Sequence, residues 1–325
     1  MGQLTFLVTS PRVAAGLLSW PAWHAISLAD RVCASDAMTP IARAVSAAGH
    51  TVDVLPDPTG AGLLAAAAEG DLVWLASDEE SDRLAGSLAQ EVVAAAEGGA
   101  AQPDVEVVHG SYDMPGARLL DLVTVMDRLR TECPWDREQT HRSLAKYLLE
   151  ESYETVEAIE TGDHTHLREE LGDLLLQVYF HARIASESTT DTAFNIDDVA
   201  AGIVTKLVLR HPHVFAGLDV ADADEVEVNW ESIKAAEKGR GSVLEGIPWG
   251  MPALLLADKV VGRASKLGVD PAHDAHDAHD ADGADVGGRL LALVVHARDE
   301  GVDPEQALRD AVRRLADRVR VAEQG

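Results

Sequence analysis

The segment LEESYETVEAIETGDHTHLREELGDLLLQV, residues 149–178, carries two acidic groups in otherwise apolar, helix-forming surroundings: Glu150-Glu151-x-x-Glu154 and Glu170-x-x-Asp173. Residues three or four apart share one face of an α-helix, so Glu151 and Glu154 point the same way, as do Glu170 and Asp173. Like charges on one face repel by roughly 0.2–0.5 kcal/mol per pair. Two such stripes are favourable if they face each other across a cation. An oxygen-only donor set suits Mg²⁺ or Mn²⁺ better than zinc, which takes His or Cys. A solvated acidic face laced with salt bridges is the competing reading. It is weakened because the positions four after Glu150, Glu151 and Glu154 are Glu154, Thr155 and Ala158, none of them basic.

Outward from this segment, residues 115–238 read as helical throughout. Apolar periodicity predicts helices around Leu119–Leu129, over Leu144–Ile159 and Leu167–Ala185, over Ile196–Arg210 before Pro212, and over 223–238 before Gly239. The first 110 residues alternate short β-like runs (Leu4–Val8, Thr51–Leu55, Asp71–Ala76, Val105–Val108) with helix-forming stretches around 12–28, 60–69 and 81–97. That order predicts a small parallel α/β unit, with Gly98–Pro103 as a boundary signal. The fold class expected is therefore mostly α: a small α/β domain over 1–110, an all-α catalytic domain over 111–240, and a linker with a second helical repeat over 241–325.

The repeat is visible as Gly172-Asp173-Leu174-Leu175-Leu176 with His181-Ala182-Arg183, returning as Gly287-Gly288-Arg289-Leu290-Leu291 with His296-Ala297-Arg298. Lys206-x-x-x-Arg210 returns as Arg314-x-x-x-Arg318. Gly288 stands where the first copy has Asp173 and Ala284 where it has Glu169, and no Glu-Glu-x-x-Glu precedes it. This copy keeps a packing surface and loses the acidic groups, which predicts a structural role. The low-complexity stretch at 272–285, AHDAHDAHDADGAD, reads as a solvated linker or as a transition-metal trap.

The chain has 325 residues and a formal charge of −28, with 46% hydrophobic residues. The charge argues against nucleic acid or anionic membrane as a partner. An anionic substrate then needs metal and a local basic cluster. Lys206 and Arg210, four apart on one helix, and Lys234, four after Trp230, supply one that can clamp a triphosphate and stack a base. Trp135, in Cys133-Pro134-Trp135-Asp136, is a further candidate for a nucleotide pocket. Two cysteines far apart, no basic n-region and no long apolar run predict a reduced, cytoplasmic protein without a membrane span.

With these motifs in place, the region 115–260 resembles the MazG family of nucleoside triphosphate pyrophosphohydrolases. The matching segments are Met126–Arg130, CPWDREQT at 133–140, LEESYE at 149–154, EELGDLLLQV at 169–178, RHPHVF at 210–215 and Trp230 through Lys234. The resemblance implies an all-α, Mg²⁺-dependent fold, usually a homodimer, that converts NTPs or dNTPs to NMPs and pyrophosphate in nucleotide-pool house-cleaning. It implies metal ligation by Glu151, Glu154, Glu170 and Asp173, and substrate contacts at Lys206, Arg210, Trp230 and Lys234. Glu150 would hold a second ion or orient the attacking water. The first 110 residues are similar to the front half of a tetrapyrrole methylase domain, with Thr9-Ser10-Pro11 in place of its glycine-rich loop. That departure implies a non-catalytic scaffold. The alternative to an enzyme is a nucleotide-sensing or interaction protein that binds metal without turnover.

Overall fold

A computed structural model describes residues 2–98, 101–238, 242–270 and 286–324. The chain divides into two compact units, Met1–Gly202 and Ile203–Gly325. The mostly helical class with a small α/β region at the N-terminus is what the structure has.

The first unit begins with five strands: β1 (Gln3–Val8), β2 (Arg31–Ala34), β3 (Asp53–Val54), β4 (Leu72–Leu75) and β5 (Asp104–His109). They pair in parallel in the order β3-β2-β4-β1-β5, with Leu4 opposite Leu72 and Val105. The inner strands β1, β2 and β4 carry consecutive buried residues because helices cover both faces of the sheet. On one face Leu7, Val32, Val73 and Leu75 meet Ala22 and Ile26 of α1 (Trp20–Leu28) and Ile41 and Val45 of α2 (Pro40–Ala47). On the other, Leu4, Phe6, Leu72 and Trp74 meet Leu63 of α3 (Gly60–Ala67) and Leu84 and Leu88 of α4 (Asp78–Gly98). Each fully buried Leu or Phe contributes about 1.5–3 kcal/mol. Gly60 is required where α3 meets α4, because a Cβ there would lie 2.8 Å from the backbone of Ser87 and Leu88.

Several local expectations need correction. Arg31–Ala34 is a strand and Pro40–Ala47 a helix where neither was expected, so the sheet has five strands instead of four. The helix expected over 12–28 begins only at Trp20, capped by Ser19 with Pro21 in the first turn. The sheet continues past Gly98–Pro103, since β5 pairs along β1. The loop Thr9-Ser10-Pro11-Arg12 after β1 makes contacts of its own. Arg12 donates from Nε and Nη2 to the two carboxylate oxygens of Asp121 at 2.8 and 2.6 Å, and from Nη1 to Asp113 at 2.7 Å. These bonds fasten the loop after β1 to the start of the helical region that follows.

That region contains α5 (Arg118–Glu132), α6 (Pro134–Glu138), α7 (His141–Thr161) and α8 (His164–Ala185), packed around Met126, Leu144 and Phe180. Next comes α9 (Ile196–Arg210), with the bounds its periodicity predicts, and then the one-turn α10 (Pro212–Phe215). The second unit continues with α11 (Ala223–Lys238), α12 (Ala253–Ser265), α13 (Val286–Asp299) and α14 (Pro304–Glu323), the last three packing on one another.

The internal repeat extends to an ion pair. Arg183 of α8 donates from Nε to Asp127 of α5 at 2.8 Å, and Arg298 of α13 donates from Nη1 to Asp258 of α12, also at 2.8 Å. The stretch that would hold a counterpart of α7, with the AHDAHDAHDADGAD run, lies outside the described residues. So does Asp285, the acidic residue aligned with Glu170.

Candidate metal centre

Helices α7 and α8 form an antiparallel hairpin, and the caps at the turn between them set the register. Gly162 closes α7 in the left-handed conformation, φ 71°. Asp163 opens α8 by accepting from the backbone N–H of Thr165 at 2.9 Å and of His166 at 3.1 Å. At the far end, Thr140 Oγ1 accepts from the Ser143 N–H while Ser143 Oγ accepts from the Thr140 N–H, a reciprocal cap.

This register brings Glu151 and Glu154 of α7 against Glu170 of α8, with one carboxylate oxygen from each within 4.8 Å of the others. Glu170 is buried, Glu151 half-buried and Glu154 exposed. Burial pushes the Glu151 carboxyl above its ordinary value, and Asp173, Glu154, Glu170 and Glu150 push it further, in that order. Asp173 is half-buried and stands outside the mutual 4.8 Å group, yet its charge acts on Glu151 more strongly than any other. Glu150 is exposed at the rim. Crowding of this kind is relieved when a cation is present and persists when none is.

Trp135 stands at the hairpin's open end, edge-on to Tyr147 and Phe180 at 6.2 and 6.4 Å between ring centroids. It keeps half its surface exposed. Arg130 holds its loop, donating from Nη1 to the carbonyls of Asp136 and Gln139 while Nε and Nη2 grip Glu187 at 2.8 and 2.9 Å.

In the second unit the predicted basic set is partly assembled. The Arg210 guanidinium lies 5.3 Å from the Trp230 ring centroid and Lys234 Nζ 4.4 Å from it. Arg210 is buried and Lys206, one turn before it, exposed.

The sequence reading missed three residues around the carboxylates. His166 Nε2 lies 2.8 Å from Glu170 Oε1, a contact that the i,i+4 spacing signals. Gln177 and His181 continue the Glu170–Asp173 stripe along α8. No sequence signal marks their burial.

The model of the MazG nucleotide pyrophosphohydrolase domain matches residues 139–215. That span holds all five acidic candidates, Lys206 and Arg210, and leaves Trp135, Trp230 and Lys234 outside. A 26.1 kDa protein of Streptomyces cacaoi is 54% identical over 231 residues, which cover 70% of this chain and 92% of that one. The nucleoside triphosphate pyrophosphohydrolase/pyrophosphatase MazG of Thermotoga maritima is 38% identical over 223 residues, 63% of this chain and 85% of its own length. The chain belongs to the MazG family. The nucleoside triphosphate pyrophosphohydrolase of Mycobacterium tuberculosis is 47% identical over 208 residues, 64% of this chain, and this chain spans 59% of that relative's length. For a MazG protein, the α7–α8 hairpin is thus the segment that the family model and the acidic geometry both select.

Proposed function

We propose that the α7–α8 carboxylates hold Mg²⁺, or Mn²⁺, and that the chain hydrolyses nucleoside triphosphates or their deoxy forms to the monophosphate and pyrophosphate. The observation that carries this reading is the convergence of Glu151, Glu154 and Glu170 to within 4.8 Å. The donor set fits the ion. It is all oxygen, it draws on two helices, and burial together with the neighbouring carboxylates lifts the Glu151 carboxyl. When bound, the ion would bridge phosphate oxygens and acidify a water.

The chain's own residues divide the remaining work. Glu151, Glu154, Glu170 and Asp173 are assigned as ligands. Glu150, exposed one residue off the stripe, binds a second ion or orients the attacking water at the α-phosphorus. Lys206, Arg210, Trp230 and Lys234 are assigned to the triphosphate and base, and Trp135 to a nucleotide contact. The catalytic part is assigned to 111–240. The α/β region 1–110 is a non-catalytic, truncated methylase-like scaffold, and 241–325 a linker with a degenerate repeat. The role proposed is house-cleaning of unwanted nucleotides in the cytoplasm. Among the described residues no helix is long and apolar enough to cross a membrane.

We also propose a homodimer. Leu149, Leu171, Val178, Ile203, Val204 and Leu207 are exposed large apolar side chains on α7, α8 and α9. Large apolar side chains left exposed on helices of both units favour a partner subunit.

Incubation with Mg²⁺ and a panel of nucleotides tests the reaction. Pyrophosphate and monophosphate are expected, and orthophosphate release rejects it. Glu154→Ala and Asp173→Ala should each abolish turnover with helical content retained. Tight nucleotide binding without turnover in the native protein would favour a sensor instead.

A further inference from the structure

Beyond Asp173 the acidic stripe of α8 does not end. Glu170, Asp173, Gln177 and His181 follow one another at i, i+3, i+7 and i+11, a single line along the helix. Gln177 is only 4% exposed, and its Oε1 has no hydrogen-bond partner among the described residues. One turn further, His181 Nε2 is also buried and has no such partner. The other ring nitrogen of His181, Nδ1, is engaged at 2.7 Å by Nδ1 of His141, with the two rings stacked 5.0 Å apart at 4°. A buried carbonyl without a partner carries the full cost of its lost hydration, so such groups are kept where something else satisfies them.

We propose that Gln177 is a specificity-determining residue that binds a sugar hydroxyl of the nucleotide, in a nucleoside subsite continuing from the carboxylates along α8. This deepens the pyrophosphohydrolase reading and rests on it. At a rise of 1.5 Å per residue, Gln177 stands about 6 Å beyond Asp173 and His181 about 12 Å beyond it. The order along the helix is therefore carboxylates, amide, imidazole. The order along a nucleotide from its metal-bound phosphates is phosphate, sugar, base. An amide offers an acceptor and a donor side by side, and a hydroxyl, which both donates and accepts, is its complement. The aromatic cluster of Trp135, Tyr147 and Phe180 lies at the same end of the hairpin as His181, where a base would be.

The test compares kcat/KM for a ribonucleotide, its 2′-deoxy form and its 2′,3′-dideoxy form. It uses the full chain with Mg²⁺, native and as Gln177→Met, which keeps the volume and removes the hydrogen bond. The native protein should discriminate by about tenfold at the step where the contacted hydroxyl is lost, the usual worth of one such bond. In Gln177→Met that ratio should fall below about twofold. The ratio is internal to each preparation, so a partly folded variant does not distort it. An unchanged ratio in the variant overturns the proposal, as does a native protein indifferent to all three sugars. If the native protein turns over none of them, the pyrophosphohydrolase reading fails. The same ratio is then read as Kd for non-hydrolysable α,β-methylene analogues, where equal ratios in native and variant protein again overturn the subsite.

Discussion

His166 Nε2 stands 2.8 Å from Glu170 Oε1, one helical turn before it on α8. Glu170 is the buried member of the acidic cluster, and the contact with His166 at Oε1 restricts how its carboxylate can turn. A partner behind a metal-binding carboxylate typically changes affinity by about 10- to 100-fold when removed. His166→Ala is therefore expected to weaken Mn²⁺ binding by that order while leaving helical content unchanged. Titration calorimetry reads it, and an unaltered Kd would show that Glu170 is oriented by the helix alone.

Glu151 gives a prediction with a definite sign. Its carboxyl is raised from an ordinary 4.5, chiefly by burial and then by Asp173, Glu154, Glu170 and Glu150. A raised carboxyl holds its proton more tightly in the fold than in the unfolded chain. Its penalty is absent below 4.5, grows as pH rises through the window above that value, and is complete once the folded group has ionised. In chelator, native protein should lose stability across this window relative to Glu151→Gln, by roughly 0.5 kcal/mol for each close like-charge pair relieved. Added Mg²⁺ should remove the loss in native protein and stabilise the variant less, since the variant keeps three of the four assigned ligands. Urea midpoints measured from pH 4.5 to neutrality decide it.

The hairpin was legible because its chemistry is local. Acidic groups at i,i+3 inside apolar helices leave a pattern that spacing alone exposes, and α9 was legible to its last residue because Pro212 stops it. Strand β2 was not, because a four-residue strand with three consecutive buried residues, Val32 to Ala34, carries no periodicity to read. Helix α1 had a readable start in Ser19-Trp20-Pro21, a capping residue with proline in the first turn, which apolar composition upstream obscured. Gln177 shows the deeper limit. A glutamine in a helix is ordinary, and only its surroundings bury its Oε1 without a hydrogen-bond partner among the described residues.

Glu187, just past the end of α8, ties that end to Arg130 of α5. It accepts from Arg130 at 2.8 and 2.9 Å and from Arg183 at 3.0 Å, while Arg183 also grips Asp127. The Arg130 bonds, with burial opposing and Arg183 adding, hold the Glu187 carboxyl below its ordinary 4.5. A depressed carboxyl stabilises the fold fully above 4.5 and loses that contribution as pH falls through the folded value. Glu187→Gln should therefore flatten the acid limb of the stability curve below pH 4.5. Because Arg130 also holds the carbonyls of Asp136 and Gln139, Arg130→Lys, which loses the two-pronged grip, should loosen the Trp135 loop. The expected readout is a higher KM with kcat little changed. A fall in kcat alone would separate that loop from substrate binding.

Gly162 tests whether the turn sets the site. Its φ of 71° places it where an L-residue costs about 1–2 kcal/mol, with asparagine tolerated better than alanine. The turn it makes with Asp163 brings Glu154 level with Glu170. Stability should fall in the order Gly162, Gly162→Asn, Gly162→Ala. If the turn also governs the register of the carboxylates, Mn²⁺ affinity should fall in the same order. Affinity that holds constant while stability drops would mean that the packing of Leu144 against Phe180 at the other end is sufficient to align the two helices.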